Sequence, residues 1–214
     1  MTPEFWLERW QHGETGWHSL EINRHLQEFW PQFNLPAQAT VLVPLCGKTL
    51  DLLWLMNQGL RVIGVELSPL AVEEFLAEHE LTAIVTDAPP LRRYQVEELT
   101  LLCGDFFALT PEHLPEINAV YDRGALVALP AELRERYTEV LKTIAPTAPK
   151  LLITFAYDQQ QMNGPPFAIQ PAEVRRLFAE QSVIELATFD VLNEAENLRQ
   201  RGVTALAEQV WKIV

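Results

Sequence analysis

The stretch Thr40-Val-Leu-Val-Pro-Leu-Cys-Gly-Lys-Thr-Leu-Asp51 decides the fold. It opens with branched apolar residues (Val41, Leu42, Val43, Leu45), turns at Cys46-Gly47-Lys48 and enters an amphipathic segment from Thr49 to Gln58, closed by Gly59. That pattern predicts strand, tight turn and helix. About 20 residues beyond the turn, a spacing typical of nucleotide-binding βαβ units, a second apolar run, Arg61-Val-Ile-Gly-Val65, ends on an acid, Glu66. A glycine in the first turn and a carboxylate at the end of the second strand mark the nucleotide-binding half of a doubly wound α/β sheet.

Outward from this unit, Pro69 starts a helix with Val72, Phe75, Leu76 and His79 on one face, and residues 82–98 read as a polar, proline-bearing loop. Leu99–Cys103 is a third strand running into Gly-Asp-Phe-Phe107, Ile117–Tyr121 a fourth, and Lys150–Phe155 a fifth. A helix from Pro130 carries Leu133, Tyr137, Val140, Leu141 and Ile144 at helical spacing. After a helix from Pro171 come two strand-like runs, 184–191 and 206–214, with no apolar crossover between them; such a pair is antiparallel. The expected fold is therefore a doubly wound, seven-stranded sheet with an antiparallel C-terminal hairpin. Residues 1–214 form one domain in this reading, and 1–36 carry two short helices, with Trp6, Trp10 and Trp17 able to cover a flat ligand or to pack on the core.

Composition narrows the function. With 48% hydrophobic and 21% charged residues the chain can bury a full core, and its net charge of −13 argues against a nucleic-acid partner. Cys46 and Cys103 form no C-x-x-C pair, so a reduced chain is expected. No apolar run approaches the ~18 residues of a membrane span, and the first residues lack a basic-then-apolar leader. The expectation is a cytoplasmic protein, monomeric, acting on a small molecule away from membranes.

The glycine pattern selects the ligand class. A phosphate loop needs a glycine at position 42, where Leu stands, and G-x-G-x-x-G fails because Gly47 is alone. Without those glycines a pyrophosphate cannot approach the backbone closely, so a nucleoside lacking phosphates suits the site better. S-adenosylmethionine is such a ligand. Glu66 can accept its ribose hydroxyls, although a strand-end glutamate can also be simply solvated. Asp105, after the third strand, can accept an adenine amino group with Phe106 beside the ring. Arg123, after the fourth strand, can hold the cofactor's carboxylate or orient an anionic acceptor; an ion pair with Asp122 or Asp105 is the plainer alternative. The histidines at 12, 18, 25, 79 and 113 show no metal-ligand spacing, so no metal is expected. A non-catalytic binding module and a nicotinamide-dependent dehydrogenase are the competing readings.

Seven motifs together resemble a known family: Phe5-Trp6-x-x-x-Trp10, Gly13-x-Thr-x-Trp-His18, Val43-Pro-Leu-Cys-Gly-Lys48, Gly64-Val-Glu-Leu-Ser68, Cys103-Gly-Asp-Phe-Phe107, Tyr121-Asp-Arg-Gly-Ala-Leu-Val-Ala128 and Gly164-Pro-Pro-Phe167. They are similar, in this order and over nearly the whole chain, to thiopurine S-methyltransferases, especially the bacterial branch. The resemblance implies a class I S-adenosylmethionine-dependent fold and methyl transfer to the sulfur of aromatic or heterocyclic thiols, with selenium or tellurium compounds and metalloid detoxification as a native role. It implies Trp10, Leu45, Glu66 and Arg123 as cofactor contacts, Asp105 and Phe106 at the adenine, Trp6 and Trp17 in the cover, and Arg123 nearest the acceptor. One departure stands out. Vertebrate members carry a second arginine in a Glu-Glu-Arg-His stretch; here the run is Ala195-Glu-Asn-Leu-Arg199, which places Asn197 there and offers Arg199 as a substitute.

Overall fold

The computed structural model describes residues 2–214. In chain order its elements are α1 (Pro3–Gln11), α2 (Arg24–Phe29), β1 (Thr40–Pro44), α3 (Asp51–Asn57), β2 (Arg61–Glu66), α4 (Pro69–Glu78), β3 (Ile84–Ala88), β4 (Leu91–Val96), β5 (Leu99–Cys103), β6 (Ala119–Arg123), α5 (Ala131–Ile144), β7 (Lys150–Ala156), α6 (Pro171–Leu177), β8 (Val183–Asp190), α7 (Glu196–Gln200) and β9 (Ala207–Ile213). One sheet runs β3-β4-β5-β2-β1-β6-β7-β9-β8. Its centre, β5-β2-β1-β6-β7, is parallel, and β9 and β8 close it antiparallel. The order reverses at β1, so a crevice opens above the carboxyl ends of β1 and β6.

The strands read as apolar runs because both faces are covered. In β1, Val41 and Val43 face the helices α2, α3 and α4, while Leu42 faces the layer of α5 and α6; all three are buried. Trp211 of β9 is the largest fully buried side chain, and its indole N–H donates to Thr154 Oγ1 at 2.9 Å, which satisfies its polar atom inside the core.

Among the described residues the sheet has nine strands rather than seven. Residues 82–98, expected as a loop, contain the β3–β4 hairpin, which pairs antiparallel onto β5. The pattern hid it for a physical reason. β3 is an edge strand with four exposed positions, so it carries no apolar face, and Arg92, Arg93 and Gln95 interrupt the alternation of Leu91, Tyr94 and Val96 in β4. The fourth predicted strand is also shifted: β6 includes Asp122 and Arg123 as its last residues.

The N-terminal segment is tied down at α2. Asn23 caps the helix, accepting from the His25 and Leu26 N–H groups, and its own N–H donates to Asp51 Oδ1 at 2.8 Å. Asp51 is buried and also accepts from the Tyr121 hydroxyl at 2.8 Å. Among the described residues no helix is long and apolar enough to cross a membrane.

Candidate active site

The turn after β1 is built by close approach. Gly64 of β2 has no room for a side chain: a Cβ there would lie 2.8 Å from Cys46 Sγ and from a Leu101 methyl. The missing methyl lets the turn lie against β2, and the Cys46 N–H donates to the Val65 carbonyl at 2.9 Å. Leu45 adopts φ +47° and Gly47 φ +55°. A branch-bearing residue in the left-handed region costs about 1–3 kcal/mol and concentrates at functional positions, which suits Leu45 at the rim of the crevice.

Glu66 stands under this turn, 6% exposed. Its Oε2 accepts the Gly47 N–H and its Oε1 the Ser68 N–H, each at 2.8 Å. Burial pushes its carboxyl up, while the backbone N–H groups of Ser68, Gly47 and Leu67 pull it down. The solvated alternative for Glu66 does not hold. Lys48 pairs with Glu74 at 2.9 Å and with Glu78, which anchors the loop on α4.

Over the turn and the strand ends lies a cavity of about 660 Å³, a size typical of small-ligand sites. Trp6, Trp10, Trp17, Leu45, Glu66 and Arg123 all line it, so the structure gathers six of the eight expected side chains around one space. Trp6 and Trp17 meet edge-on at 5.4 Å, and Trp10 meets Trp17 at 6.0 Å. Trp10 is only 5% exposed, and its ring lies 3.4 Å from where a Gly47 Cβ would stand.

Asp105 and Phe106 are not among the lining residues. The Asp105 carboxylate accepts the Phe107 N–H at 2.9 Å and caps its own short turn, and the Phe106 ring is taken by the core, 5.0 Å from Tyr137. Arg123 makes no ion pair among the described residues. Asp122 is committed elsewhere: it accepts from the Tyr137 hydroxyl at 2.7 Å and from the Leu126 N–H at 3.1 Å, and burial pushes its carboxyl up to about 6. The Arg123 guanidinium is therefore a cation free to meet a ligand. Both thiols are buried, and burial raises both, Cys103 to about 11, so neither is a ready nucleophile.

The strand order divides the cavity. At the β2–β1 end are Glu66 and the Gly47 turn; at the β6–β7–β9 end are Arg123, Ile153, Phe155 and Glu208, roofed by Pro165, Pro166, Asn197 and Arg201. Arg201 is the second arginine of this end. Arg199, the expected substitute, is exposed and outside the lining, whereas the Arg201 guanidinium donates to the carbonyls of Pro165 at 2.8 Å and Gly164 at 3.2 Å. Glu208 was also unforeseen. Its one legible signal is a carboxylate among the buried residues of the last strand.

A family profile described as Thiopurine S-methyltransferase (TPMT) matches residues 1–214. The chain is 47% identical over 214 residues to a protein of Pseudomonas fluorescens (strain Pf0-1) named Thiopurine S-methyltransferase, covering 100% of this chain and 99% of the relative. It is 46% identical over 216 residues to one of the same name from Nitrosospira multiformis, covering 100% and 98%. Among solved structures, a Burkholderia thailandensis 1,6-didemethyltoxoflavin-N1-methyltransferase with bound S-adenosylhomocysteine superposes with TM-score 0.64 at 13% identity, over 99% of this chain and 87% of that one. A SAM-dependent methyltransferase from Anabaena variabilis gives 0.60 at 13% identity, over 99% and 95%. The fold is that of class I S-adenosylmethionine-dependent methyltransferases.

Proposed function

The chain belongs to the thiopurine S-methyltransferase family, and from that premise we propose that it transfers the methyl group of S-adenosylmethionine to the sulfur of a heterocyclic or aromatic thiol. The observation that carries this reading is Arg123, a cation without an ion-pair partner among the described residues, standing where the cavity passes from the Glu66 end to the Arg201 end.

The residues at the β2–β1 end fit the cofactor. Glu66 presents a buried carboxylate beside a turn with a single glycine, suited to ribose hydroxyls and unsuited to a pyrophosphate. Trp10 and Leu45 supply apolar walls for the sulfonium-bearing chain. When bound, the cofactor supplies an electrophilic methyl group. The protein's task is alignment of the acceptor sulfur with it, since an in-line displacement responds chiefly to proximity and orientation. Arg123 favours the anionic form of the sulfur and fixes its place. Trp6, Trp17, Pro165 and Pro166 exclude water, so residues 1–36 act as the cover of a single catalytic domain.

The same geometry suits softer selenium and tellurium acceptors, consistent with a role in metalloid detoxification. The net charge of −13 and the two buried, unpaired cysteines support a monomeric, cytoplasmic enzyme without a nucleic-acid partner.

Incubation with S-adenosylmethionine and 6-mercaptopurine, followed by mass spectrometry, is expected to give the S-methylated purine and S-adenosylhomocysteine. Cofactor binding without either product would overturn the reading. Trp10→Ala is expected to fold and to bind S-adenosylhomocysteine about tenfold more weakly, as the loss of one apolar wall predicts. Unfolding of that variant would make Trp10 a core residue instead.

A further inference from the structure

The acceptor end holds a carboxylate that the transfer reaction so described does not use. Glu208 of β9 lines the cavity and is 9% exposed. Its Oε2 lies 2.9 Å from Nε2 of His25, which is 1% exposed and stacked on Phe189 at 4.6 Å. A carboxylate only accepts, so the contact uses the hydrogen on Nε2, and Nδ1 is buried without a partner. Oε1 of Glu208 has no hydrogen-bond partner among the described residues. One oxygen is thus held by the N-terminal segment, and the other is left for a ligand.

Its place relative to Arg123 follows from the register. Arg123 of β6 stands opposite Ile153 of β7, and Phe155 of β7 stands opposite Glu208 of β9. Ile153 and Phe155 both line the cavity, so an apolar floor separates the backbones of a cation and a carboxylate by two strand spacings across and two residues along, about 12 Å. Arg123 and Glu208 line the same cavity, so an acceptor laid on the floor can offer its sulfur to one and the adjoining ring N–H to the other.

We propose that Glu208 is a catalytic residue that accepts the ring N–H proton of heterocyclic acceptors, with His25 as its positioning residue; this rests on the thiol-transfer reading above. In its thione form such an acceptor is S=C–N–H. As the new S–CH3 bond forms, the methyl–sulfonium bond breaks and its electron pair stays on the cofactor sulfur. In the same step the N–H bond breaks, its electron pair completes C=N, the C=S π pair moves to the attacking sulfur and the proton passes to Glu208, so the sulfur reacts with the anionic character that Arg123 favours. The N–H acidifies as the sulfur gives its electrons to the methyl carbon, so a carboxylate, a weak base toward a thiol, matches the proton it must take. An aryl thiol has no such proton and enters as its thiolate with Arg123 alone. Glu208 therefore selects thioamide-type heterocycles.

The test compares kcat/KM for 6-mercaptopurine and thiophenol in the wild type and in Glu208→Gln, with S-adenosylhomocysteine affinity measured alongside. The expected result is a loss about tenfold or more greater on 6-mercaptopurine than on thiophenol, with cofactor affinity held. Equal losses on both acceptors, or none, would overturn the assignment. If Glu208→Gln does not fold, His25→Gln, which keeps a donor to Oε2, is compared with His25→Leu. The acceptor ratio is expected to fall only in the leucine variant, and the same ratio in both overturns the proposal. Wild-type protein that binds the cofactor but methylates neither thiol overturns the underlying reading itself, an outcome distinct from any failure of Glu208.

Discussion

Arg123→Ala will lose roughly a thousandfold in turnover of 6-mercaptopurine, the scale expected when a preorganised donor to a reacting anion is removed. Its affinity for S-adenosylhomocysteine will stay within about threefold, a difference below 1 kcal/mol. The effect is electrostatic. The guanidinium ends β6 in the cavity wall with no ion pair among the described residues, because the neighbouring carboxylate is buried under Tyr137 and Leu126. A cation already neutralised by Asp122 would give the acceptor little, whereas this one keeps its donors for the ligand. Arg123→Lys should recover part of the loss, since it restores the charge but not the planar fork. Single-turnover rates and calorimetric titration separate the two effects. A tenfold or larger loss of cofactor binding with unchanged turnover would assign Arg123 to the cofactor's carboxylate instead.

Much of this was legible from the chain because the parallel strands are apolar on both faces and end in named chemistry. Val41–Val43, Val62–Val65 and Leu99–Cys103 are buried throughout, and Glu66 and Arg123 follow at ends the topology brings together. What escaped were features set by tertiary contact. The β3–β4 hairpin has an exposed edge strand and thus no periodic signal. Phe106 looked like a ring beside the ligand, but the same ring faces Tyr137 once α5 packs on the sheet. Glu208 and His25 are 183 positions apart, and nothing local announces that a carboxylate in the last strand meets a histidine from the second helix. Arg201 rather than Arg199 reaches the Gly164-Pro165 carbonyls because α7 ends at Gln200, and the two residues between them are about half a helical turn.

Glu66→Gln should be nearly as damaging to cofactor binding as Glu66→Ala, although the two side chains differ little in shape. Both carboxylate oxygens already accept backbone hydrogens, Oε2 from Gly47 and Oε1 from Ser68, each at 2.8 Å. An amide has only one acceptor oxygen. Whichever way glutamine turns, its NH2 group faces a backbone N–H, and the turn that shapes the cofactor end must shift. The ribose hydroxyls also lose an ionised acceptor, whose hydrogen bonds are worth about 1.5–3 kcal/mol each. Together these predict a loss of roughly 100-fold in S-adenosylhomocysteine affinity, with turnover at saturating cofactor far less affected because Arg123 and the acceptor end are intact. Burial pushes the Glu66 carboxyl up, so the wild type should bind more weakly as pH falls toward the carboxylate range and the carboxylate form is lost. The glutamine variant should lack that fall. A variant that binds within threefold of wild type would show that the ribose is held elsewhere, and that Glu66 serves only to brace the turn between β1 and α3.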